Sequence, residues 1–454
     1  MVLSISFFVV SASRKEHLRD PFRQVLRSRM GMAALIILLM YVVVGLMDSI
    51  HFRMPLESND NTGESNYSSQ VLSLLDVVVT PIREQGEKTY SAPFAAYQYA
   101  KETIELSDGT RVREYPRLVF GGAHLTSPET ELQGDIVALG LRALFFATFA
   151  WLLLILGITY ILSRRWQQTF GVSLTKLALG RTELPWRTMF FVTGIFCLMI
   201  FLTVEYGAKY HILGTDKVGQ DVFYQSIKSI RTGLVIGTLT TLIMLPFAVM
   251  LGIMAGYFKG WIDDVIQYLY TTLNSIPGVL LIAAAVLMMQ VYIANNPDLF
   301  ETDTERADVR LFFLCIILGI TSWTGLCRML RGETLKLREV DYVQASTAFG
   351  VSNWKILVRH IQPNVMHIVL IAIVLDFSGL VLAEAVLSYV GVGVDPTMHS
   401  WGNLINSARL EMAREPIVWW SLLAAFMFMF TLVLAANVFS DAVRDAFDPR
   451  IRKR

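Results

Sequence analysis

The chain has 454 residues, of which 54% are hydrophobic and only 17% are charged, and its formal net charge is +1. Soluble proteins carry about 25% charged residues, so the deficit indicates a surface that does not face water. This composition argues against a soluble enzyme, and a disordered chain would be less hydrophobic. The near-neutral charge provides no field that would attract nucleic acid, so we expect no nucleic-acid partner.

Eight apolar segments follow one another along the chain. A spanning helix needs about 20 apolar residues, because each residue rises about 1.5 Å and the hydrocarbon layer is about 30 Å thick. The segments that meet this length are residues 31–49, 137–162, 188–206, 232–257, 268–294, 311–327, 364–391 and 417–440. The sequence therefore predicts an all-α polytopic membrane protein with about eight transmembrane helices.

The basic residues predict the orientation of these spans. Of the 39 Lys and Arg residues, 23 fall in residues 1–30, 163–187, 327–363 and 441–454 or at Lys259. These are alternate loops, and cytoplasmic loops carry the excess of positive charge. We therefore expect both termini in the cytoplasm.

Residues 51–136 form the only candidate soluble domain. The stretches 111–115 and 117–120 alternate in polarity as strands do. We expect a small, mainly β insertion on the periplasmic side of the membrane.

Common catalytic and metal-binding motifs are missing from the sequence. There is no Gly-Lys dipeptide and hence no P-loop, no His-Glu-x-x-His and no Gly-x-Ser-x-Gly. The three cysteines show no CxxC spacing, which argues against a zinc site or a disulfide framework. We expect no catalytic residue, no metal and no cofactor on this chain.

Ionisable residues are few inside the predicted spans, and they include Arg142, Glu205, Asp376 and Glu384. Arg142 and Glu205 are near span ends, where long side chains can reach the interface. Asp376 and Glu384 lie within the seventh span, about 80° apart around a helix. Charges there should face protein or water. They either line a polar cavity or anchor one helix to another by hydrogen bonds, and both alternatives stay open.

The loop at 338–363 predicts two short helices joined by a turn. The first, at 341–349, carries small residues at Ala345, Ser346 and Ala348, where another protein's backbone could approach closely. Gly350 suits the left-handed position that ends a helix, and Ser352 or Asn353 can cap the next helix. Pro363 is expected to interrupt that second helix. In one interpretation, a displacement of the first helix moves the seventh span, so the two helices act as a lever. In the other, they are ordinary amphipathic helices at the membrane interface.

The sequence of this loop resembles the EAA loop of bacterial binding-protein-dependent ABC importer permeases. That loop has Glu-Ala-Ala, then Gly after three residues, then Pro about thirteen further on. The matching positions here are Gln344, Ala345, Ser346, Gly350 and Pro363. The resemblance implies that 341–350, beginning at Asp341, docks on a cytoplasmic ATPase and transmits its closure. Gln344 replaces the Glu, which removes a charge from the docking helix.

Further segments resemble the second permease of the dipeptide and oligopeptide (peptide/nickel) importers. They are residues 211–221, 256–264, 387–393, 400–403 and 444–450, and the resemblance covers about 15–50 and 208–452. Gln220 replaces an Arg of the pattern, and Ile212 replaces a Pro. The family core has six spans of the type I fold, so the pair at 137–206 is extra. We expect that pair at the periphery or against a partner.

The resemblance implies a division of the chain into parts. These are a cytoplasmic N-terminal segment (1–30), a first transmembrane helix (31–50), the periplasmic insertion (51–136), the extra helix pair with its loop at 163–187 (137–206), the permease core with the coupling loop at 338–363 (207–440) and a cytoplasmic tail (441–454). Candidates for the translocation pathway or its outer gate are Asp376, Glu384, Gly214, Asp216 and Trp401. Gly214, Gly219 and Gly402 could instead serve tight turns.

The implied function is that of a permease subunit in the inner membrane, which moves peptides or similar small solutes. The implied partners are a second homologous permease, one or two ATPases that hold ATP and Mg, a periplasmic or lipid-anchored solute-binding protein, and membrane lipid. A permease for nickel, a glycan fragment or an antimicrobial peptide is an alternative. So is a membrane-embedded enzyme or assembly factor that works through the segment at 51–136.

Overall fold

The computed structural model describes residues 16–55, 67–105, 111–297 and 302–447. Among these residues eight helices are long and apolar enough to cross a membrane. They are Arg29–Ser49, Pro128–Trp166, Trp186–Gly207, Val222–Phe258, Gly278–Asn295, Glu305–Arg338, Asn353–Tyr389 and Trp420–Phe447. The prediction of an all-α protein with eight spans is confirmed.

The first half of the chain begins with two helices and ends with three. Helices α1 (Glu16–Arg27) and α2 (Arg29–Ser49) are separated by Ser28, whose hydroxyl accepts a hydrogen bond from the Gly31 N–H. After the insertion come α5 (Pro128–Trp166), α6 (Phe170–Leu179) and α7 (Trp186–Gly207). The extra pair of spans therefore corresponds to α5 and α7.

The insertion, which we define as residues 51–127, contains two small antiparallel sheets. Strand β1 (His51–Pro55) pairs with β2 (Tyr67–Ser73), and β3 (Glu102–Glu105) pairs with β4 (Arg111–Glu114). Two short helices, α3 (Leu74–Val78) and α4 (Thr80–Arg83), and loops make up most of the rest of its described residues.

The prediction of a β-containing insertion is therefore confirmed, but the expectation that it is mainly β is wrong. Ser73 and Asp76 form a reciprocal capping box, which ends β2 and starts α3. In the stretch 117–120, Arg117 makes one isolated bridge to Tyr97. The N–H groups of Val119 and Phe120 donate to the Glu87 carboxylate instead of to a neighbouring strand.

The second half of the chain is helical. Its elements are α8 (Val222–Phe258), α9 (Trp261–Ser275), α10 (Gly278–Asn295), α11 (Asp303–Ser322), α12 (Thr324–Arg338), α13 (Asp341–Ala348), α14 (Asn353–Ile356), a π-helical turn (Leu357–Ile361), α15 (Gln362–Tyr389), α16 (Trp401–Glu411) and α17 (Trp420–Phe447). The predicted span 268–294 is broken between α9 and α10. Pro277 disfavours helical backbone at Ile276, which is extended at φ −94° and ψ 131°.

The chain packs as two units. Among the described residues, the first comprises 233–297, 302–398 and the terminal segments 16–22 and 436–447. Its larger core joins Met244 and Ala248 of α8 to Leu330 of α12 and Val365 and Val369 of α15. The second unit comprises Arg23–Thr232 and His399–Ala435.

In the second unit the extra helices α5 and α7 pack against each other. The Trp151 indole donates to the Phe190 carbonyl at 2.8 Å, and the Tyr206 hydroxyl donates to the Ile136 carbonyl at 3.0 Å. Arg142 and Glu205 form an ion pair at 3.3 Å, a pairing that the sequence did not predict.

Most of the α5–α7 surface remains exposed. Only 11% of the most apolar window of each helix is buried, against 44% for Glu305–Arg338. The pair therefore has a wide exposed apolar face, and its expected place at the periphery or against a partner stays a prediction.

A glycine allows close helix packing in the first unit. A Cβ on Gly256 of α8 would lie 2.6 Å from the Thr334 Cβ and 2.7 Å from the Arg331 carbonyl oxygen of α12. Gly256→Ala should therefore cost about 1–3 kcal/mol, because a packed core resists added volume. The measurement is the melting temperature of the purified chain in detergent.

The matched control is Gly332→Ala, since a Cβ at Gly332 of α12 meets no atom within 4 Å. Alanine favours a helix interior over glycine by up to about 1 kcal/mol, so this variant should melt at or above the wild-type temperature. Equal melting temperatures for the two variants would contradict the packing argument.

Candidate functional site

The first candidate site is the coupling segment, residues 338–363. Its helix α13 ends as the sequence predicts, with Gly350 in the left-handed region at φ +71°. The Gly350 N–H donates to the Thr347 carbonyl at 3.0 Å, and the Val351 N–H donates to the Ser346 carbonyl at 3.1 Å. This is a Schellman motif, which lets the chain reverse direction immediately after α13.

Pro363 does not interrupt the second helix, so that prediction is wrong. Helical backbone runs without a break over Asn353–Tyr389, with a π-helical turn at Leu357–Ile361 before α15. A proline ring normally clashes with the carbonyl four residues earlier. The wider π turn accommodates Pro363 at the first positions of α15. Asn353 starts α14, and the Ser352 side chain makes no capping hydrogen bond.

Buried side chains fix the coupling segment to the rest of the first unit. Val343 of α13 is 1% exposed and Ile356 of α14 is 0% exposed, and both belong to the core that contains Leu330. Tyr342 adds a polar contact, since its hydroxyl accepts a hydrogen bond from the Asn364 amide at 2.9 Å. A displacement of α13 would therefore act on the helix that contains α15.

Polar contacts connect the same segment to the turn between α8 and α9. The Arg338 guanidinium donates to the Tyr257 carbonyl at 2.8 Å, and the Tyr257 hydroxyl donates to Asn353 Oδ1 at 3.0 Å. Lys259 and Glu339 form an ion pair at 3.2 Å. The coupling segment is thus attached to two spans, not one.

The start of α9 is held to α12 by a bidentate ion pair. Arg331 Nε and Nη2 donate to the two Asp263 carboxylate oxygens at 2.6 and 2.7 Å. The hydrogen bond from Arg331 lowers the pKa of Asp263 below its usual value. Forked pairs of this kind fix geometry in addition to charge.

The outward face of the coupling segment is apolar and exposed. Ala345 and Ala348 lie on the surface, Phe349 is 87% exposed and Trp354 is 73% exposed. Small residues beside large exposed aromatic residues form a surface suited to contact with another protein.

Gln344 lies beside an acidic residue, Glu339. Its amide donates to the Glu339 carbonyl and to Glu339 Oε2, both at 3.3 Å. A glutamate at 344 would place two carboxylates together at this point. Glu339 therefore keeps an acidic group beside α13 although Gln344 has none.

The two buried acids of the seventh span differ in their surroundings. Glu384 is 2% exposed and accepts a hydrogen bond from the Ser388 hydroxyl at 2.7 Å. That bond lies within α15, so it does not join two helices. Asp376 is half-buried. The pathway role of Asp376 and Glu384 stays a prediction.

In the second unit, Gly214, Asp216 and Trp401 all hold local structure. A Cβ on Gly214, at φ +67°, would lie 2.4 Å from the Ser91 carbonyl oxygen. Asp216 accepts hydrogen bonds from the Val218 and Gln220 N–H groups, each at 2.9 Å. Trp401 is 1% exposed and donates to the Ser226 carbonyl. The positive φ of Gly214 and the short-range bonds of Asp216 suit a tight turn, whereas Trp401 contacts a residue 175 positions away. The gate role of all three stays a prediction.

A buried ionic cluster in the second unit was not predicted from the sequence. His211 Nδ1 lies 2.9 Å from Asp221 Oδ2, and His211 Nε2 lies 3.5 Å from Glu87 Oε1. Glu87 also accepts the N–H groups of Val119, Phe120 and Gly121. We call Glu87, His211 and Asp221 the His211 clasp. It ties the insertion to the loop before α8.

In the His211 clasp, burial and the neighbouring charges shift the pKa values of His211 and Glu87 in opposite directions. Burial alone would lower the pKa of His211, but the hydrogen bonds and charges of Asp221 and Glu87 raise it to about 9. Burial would raise the pKa of Glu87, but His211 and the three backbone N–H groups lower it to about 2. His211 and Glu87 are therefore both ionised near neutral pH.

A second ionic cluster joins α2, the insertion and α8. Lys228 Nζ lies 2.6 Å from Asp48 Oδ1 and 3.0 Å from Asp76 Oδ1. The Tyr224 hydroxyl donates to Asp76 at 2.8 Å. The sequence analysis missed this cluster because the predicted fourth span began at residue 232. Helix α8 begins nearly three turns earlier, at Val222, and so includes Lys228.

No group of three or more His, Cys, Asp or Glu side chains suited to a metal ion occurs among the described residues. The cysteines Cys197, Cys315 and Cys327 are free thiols, and Cys315 and Cys327 are buried.

The geometry defines a multi-pass membrane protein with a rigidly held surface segment between two spans. The family model "binding-protein-dependent transport system inner membrane component" matches residues 248–453. The glutathione transport system permease protein GsiD of Pectobacterium atrosepticum is 31% identical over 53% of this chain and 73% of its own length. The chain therefore belongs to this family of inner-membrane transport components.

Two further relatives are also permease proteins of transport systems. The oligopeptide transport system permease protein OppC of Mycobacterium bovis is 31% identical over 53% of this chain and 77% of its own length. The dipeptide transport system permease protein DppC of Lactococcus lactis is 31% identical over 53% of this chain and 64% of its own length.

Among solved structures, the MetNI methionine ABC transporter is similar at 16% identity and a TM-score of 0.34, over 48% of this chain and 93% of that one.

The His211 clasp predicts a pH-dependent stability. His211→Gln removes the cation between two buried carboxylates, so it should cost about 3–5 kcal/mol near pH 6. The contribution of a group with a raised folded-state pKa is complete below its unfolded pKa of about 6.5. It declines as pH rises through about 9. The difference in melting temperature between wild type and variant should therefore shrink between pH 6 and pH 10.

The control is His124→Gln. His124 also lies 2.8 Å from an aspartate, Asp135, but its side chain is 33% exposed. Its loss should cost no more than about 1 kcal/mol. The ionic account would be contradicted if His211→Gln lowered the melting temperature no more than His124→Gln does. It would also be contradicted if the decrease for His211→Gln did not change with pH.

Proposed function

We propose that this chain is one of two membrane subunits of an ABC importer that moves peptides or similar small solutes across the inner membrane. The relatives named above are permeases of dipeptide, oligopeptide and glutathione systems. The carrying observation is the geometry of the coupling segment. Its exposed apolar face is backed by a buried anchor on a helix that continues through Asn353–Tyr389.

In this proposal the chemistry takes place on partners. One or two cytoplasmic ATPases hold ATP and Mg and receive the outward face of α13. A periplasmic or lipid-anchored binding protein delivers the solute, and a second homologous permease completes the pathway. Both termini and the coupling segment lie in the cytoplasm, as the distribution of Lys and Arg predicts.

The mechanism follows from the contacts of the coupling segment. ATP-driven closure of the ATPases would displace α13, and Val343 and Ile356 would pass the displacement to the helix that contains α15. Arg338 and the Lys259–Glu339 pair would pass it to the end of α8. A partner that binds one arrangement of these helices better than the other shifts the population between inward and outward access.

The cargo stays open between peptides and other small solutes such as nickel, a glycan fragment or an antimicrobial peptide. Asp376 and Glu384 are the acidic residues of the seventh span that could meet the cargo, and Gly214, Asp216 and Trp401 belong to the proposed outer gate. An enzyme or assembly factor that works through the insertion is the less favoured candidate.

The coupling proposal predicts the effect of one bulky side chain. Ala345→Trp adds volume to the exposed face of α13, where a partner backbone must approach closely. We expect ATP-driven uptake by the complete importer to fall at least about tenfold, because one large misfit on a contact surface commonly costs 1.4 kcal/mol or more. The amount of the chain in the membrane should not change.

The matched control is Ala178→Trp. Ala178 is also exposed, and it lies on α6 in the loop between α5 and α7. Uptake should stay at the wild-type rate in this variant. If Ala345→Trp transports as well as Ala178→Trp, the coupling segment does not dock as proposed.

A further inference from the structure

A basic cavity lies beside the start of the extra helix α7 in the second unit. It has a volume of about 620 Å³, within the range of about 300–1,000 Å³ that is usual for small-ligand sites. Its charged lining residues are Arg27, Arg29, Arg187 and Glu183, and its aromatic lining residues are Trp186 and Phe191. Nothing in the transport mechanism above uses this cavity.

The cavity has an excess of positive charge. Glu183 Oε2 lies 2.6 Å from Arg23 Nη2 and 3.3 Å from Arg27 Nη2, so its carboxylate is already shared. The two hydrogen-bonded arginines lower the pKa of Glu183, which keeps it ionised. Within the part of the chain that the structure describes, Arg29 and Arg187 have no acidic partner within ion-pair distance. Two guanidinium groups therefore remain to bind an anion.

The position of the cavity is at the ends of two spans. Arg29 is the first residue of α2, and Arg187 is the second residue of α7. The two helices run side by side from here, with Met32 and Ile36 of α2 packed against Val192 of α7. Apolar spans begin where the hydrocarbon layer begins, so the cavity lies at the depth of the lipid headgroups.

Two further features favour a lipid phosphate. Helix α7 begins at Trp186 after Pro185, without a side-chain cap, so no side chain satisfies the positive end of its dipole. Phe191, on the wall of the cavity, is 66% exposed and Trp186 is an interfacial residue type. A soluble phosphate needs no apolar wall, whereas a phospholipid places acyl chains against one.

We propose that this cavity binds the headgroup of an anionic phospholipid. Arg29 and Arg187 contact the phosphate, Arg27 and Glu183 form the far wall, and Phe191 lies along the first acyl carbons. Basic pockets between spans are a general means of holding anionic headgroups. Lipid bound here would join α2 to α7, and so connect the extra helix pair to the first span.

The test uses the full-length chain in nanodiscs of neutral phosphatidylcholine. Phosphatidylglycerol is titrated in, and bound lipid is counted by native mass spectrometry. The double variant Arg29→Gln/Arg187→Gln should bind phosphatidylglycerol roughly tenfold or more weakly, because each arginine that contacts the anionic headgroup contributes about a factor of five. Glu183→Gln should bind it several-fold more tightly, since it removes the competing carboxylate.

The matched control is Arg164→Gln/Arg165→Gln, which removes two arginines from the end of α5, outside the cavity lining. It should bind phosphatidylglycerol within about twofold of wild type. Wild-type binding by the Arg29/Arg187 variant would overturn the proposal, as would equal binding of phosphatidylcholine. Displacement by millimolar inorganic phosphate would overturn the lipid assignment in favour of a soluble anion. If the double variant fails to fold, Glu183→Gln decides alone: unchanged or weaker binding refutes the site.

Discussion

The uninterrupted helix over Asn353–Tyr389 is the element on which this account depends. A surface helix can move a span only if no flexible joint lies between them. Pro363 would ordinarily supply such a joint, because it removes a backbone hydrogen bond and its ring displaces the preceding turn. The π-helical turn at Leu357–Ile361 absorbs the ring while the helix continues. The burial of Val343 and Ile356, together with the hydrogen bond between Tyr342 and Asn364, then holds α13 against that helix.

The insertion is attached by a different kind of force. Buried ion pairs are costly to form and more costly to break, since removal of one partner leaves a charge without water. The His211 clasp and the Lys228 cluster therefore act as specific fasteners of the insertion to α2 and to the start of α8. The clasp includes three backbone N–H groups, so it fixes the path of the chain at Val119–Gly121 along with its charge.

The sequence predicted much of this fold because the membrane imposes a simple rule. About 20 apolar residues are needed to span it, and each of the eight predicted segments overlaps a spanning helix. The conformation of Gly350 was predictable for a different, local reason. A helix after which the chain reverses at once needs a residue in the left-handed region, and glycine adopts that region most easily. The family resemblance supplied the proposed role of α13, which helix geometry alone left open.

The remainder was out of reach because it depends on residues far apart in the chain. Glu87 and His211 are 124 residues apart and have no shared motif, so nothing local marks their contact. The pairing of Lys228 with Asp48 spans 180 residues. Hydropathy also hid the break at Pro277 and the continuity at Pro363, because a window average does not distinguish a proline that ends a helix from one that a π turn accommodates.

The most direct measurement is site-specific photo-cross-linking from Phe349 in intact membranes that contain the whole importer. Phe349 is 87% exposed at the end of α13, and Leu179, at 55% exposure on α6, serves as the reference position. The account predicts an adduct between position 349 and the ATPase subunit and none from position 179. Absence of that adduct at 349, or equal adducts at both positions, would contradict the claim that α13 is where the ATPase acts.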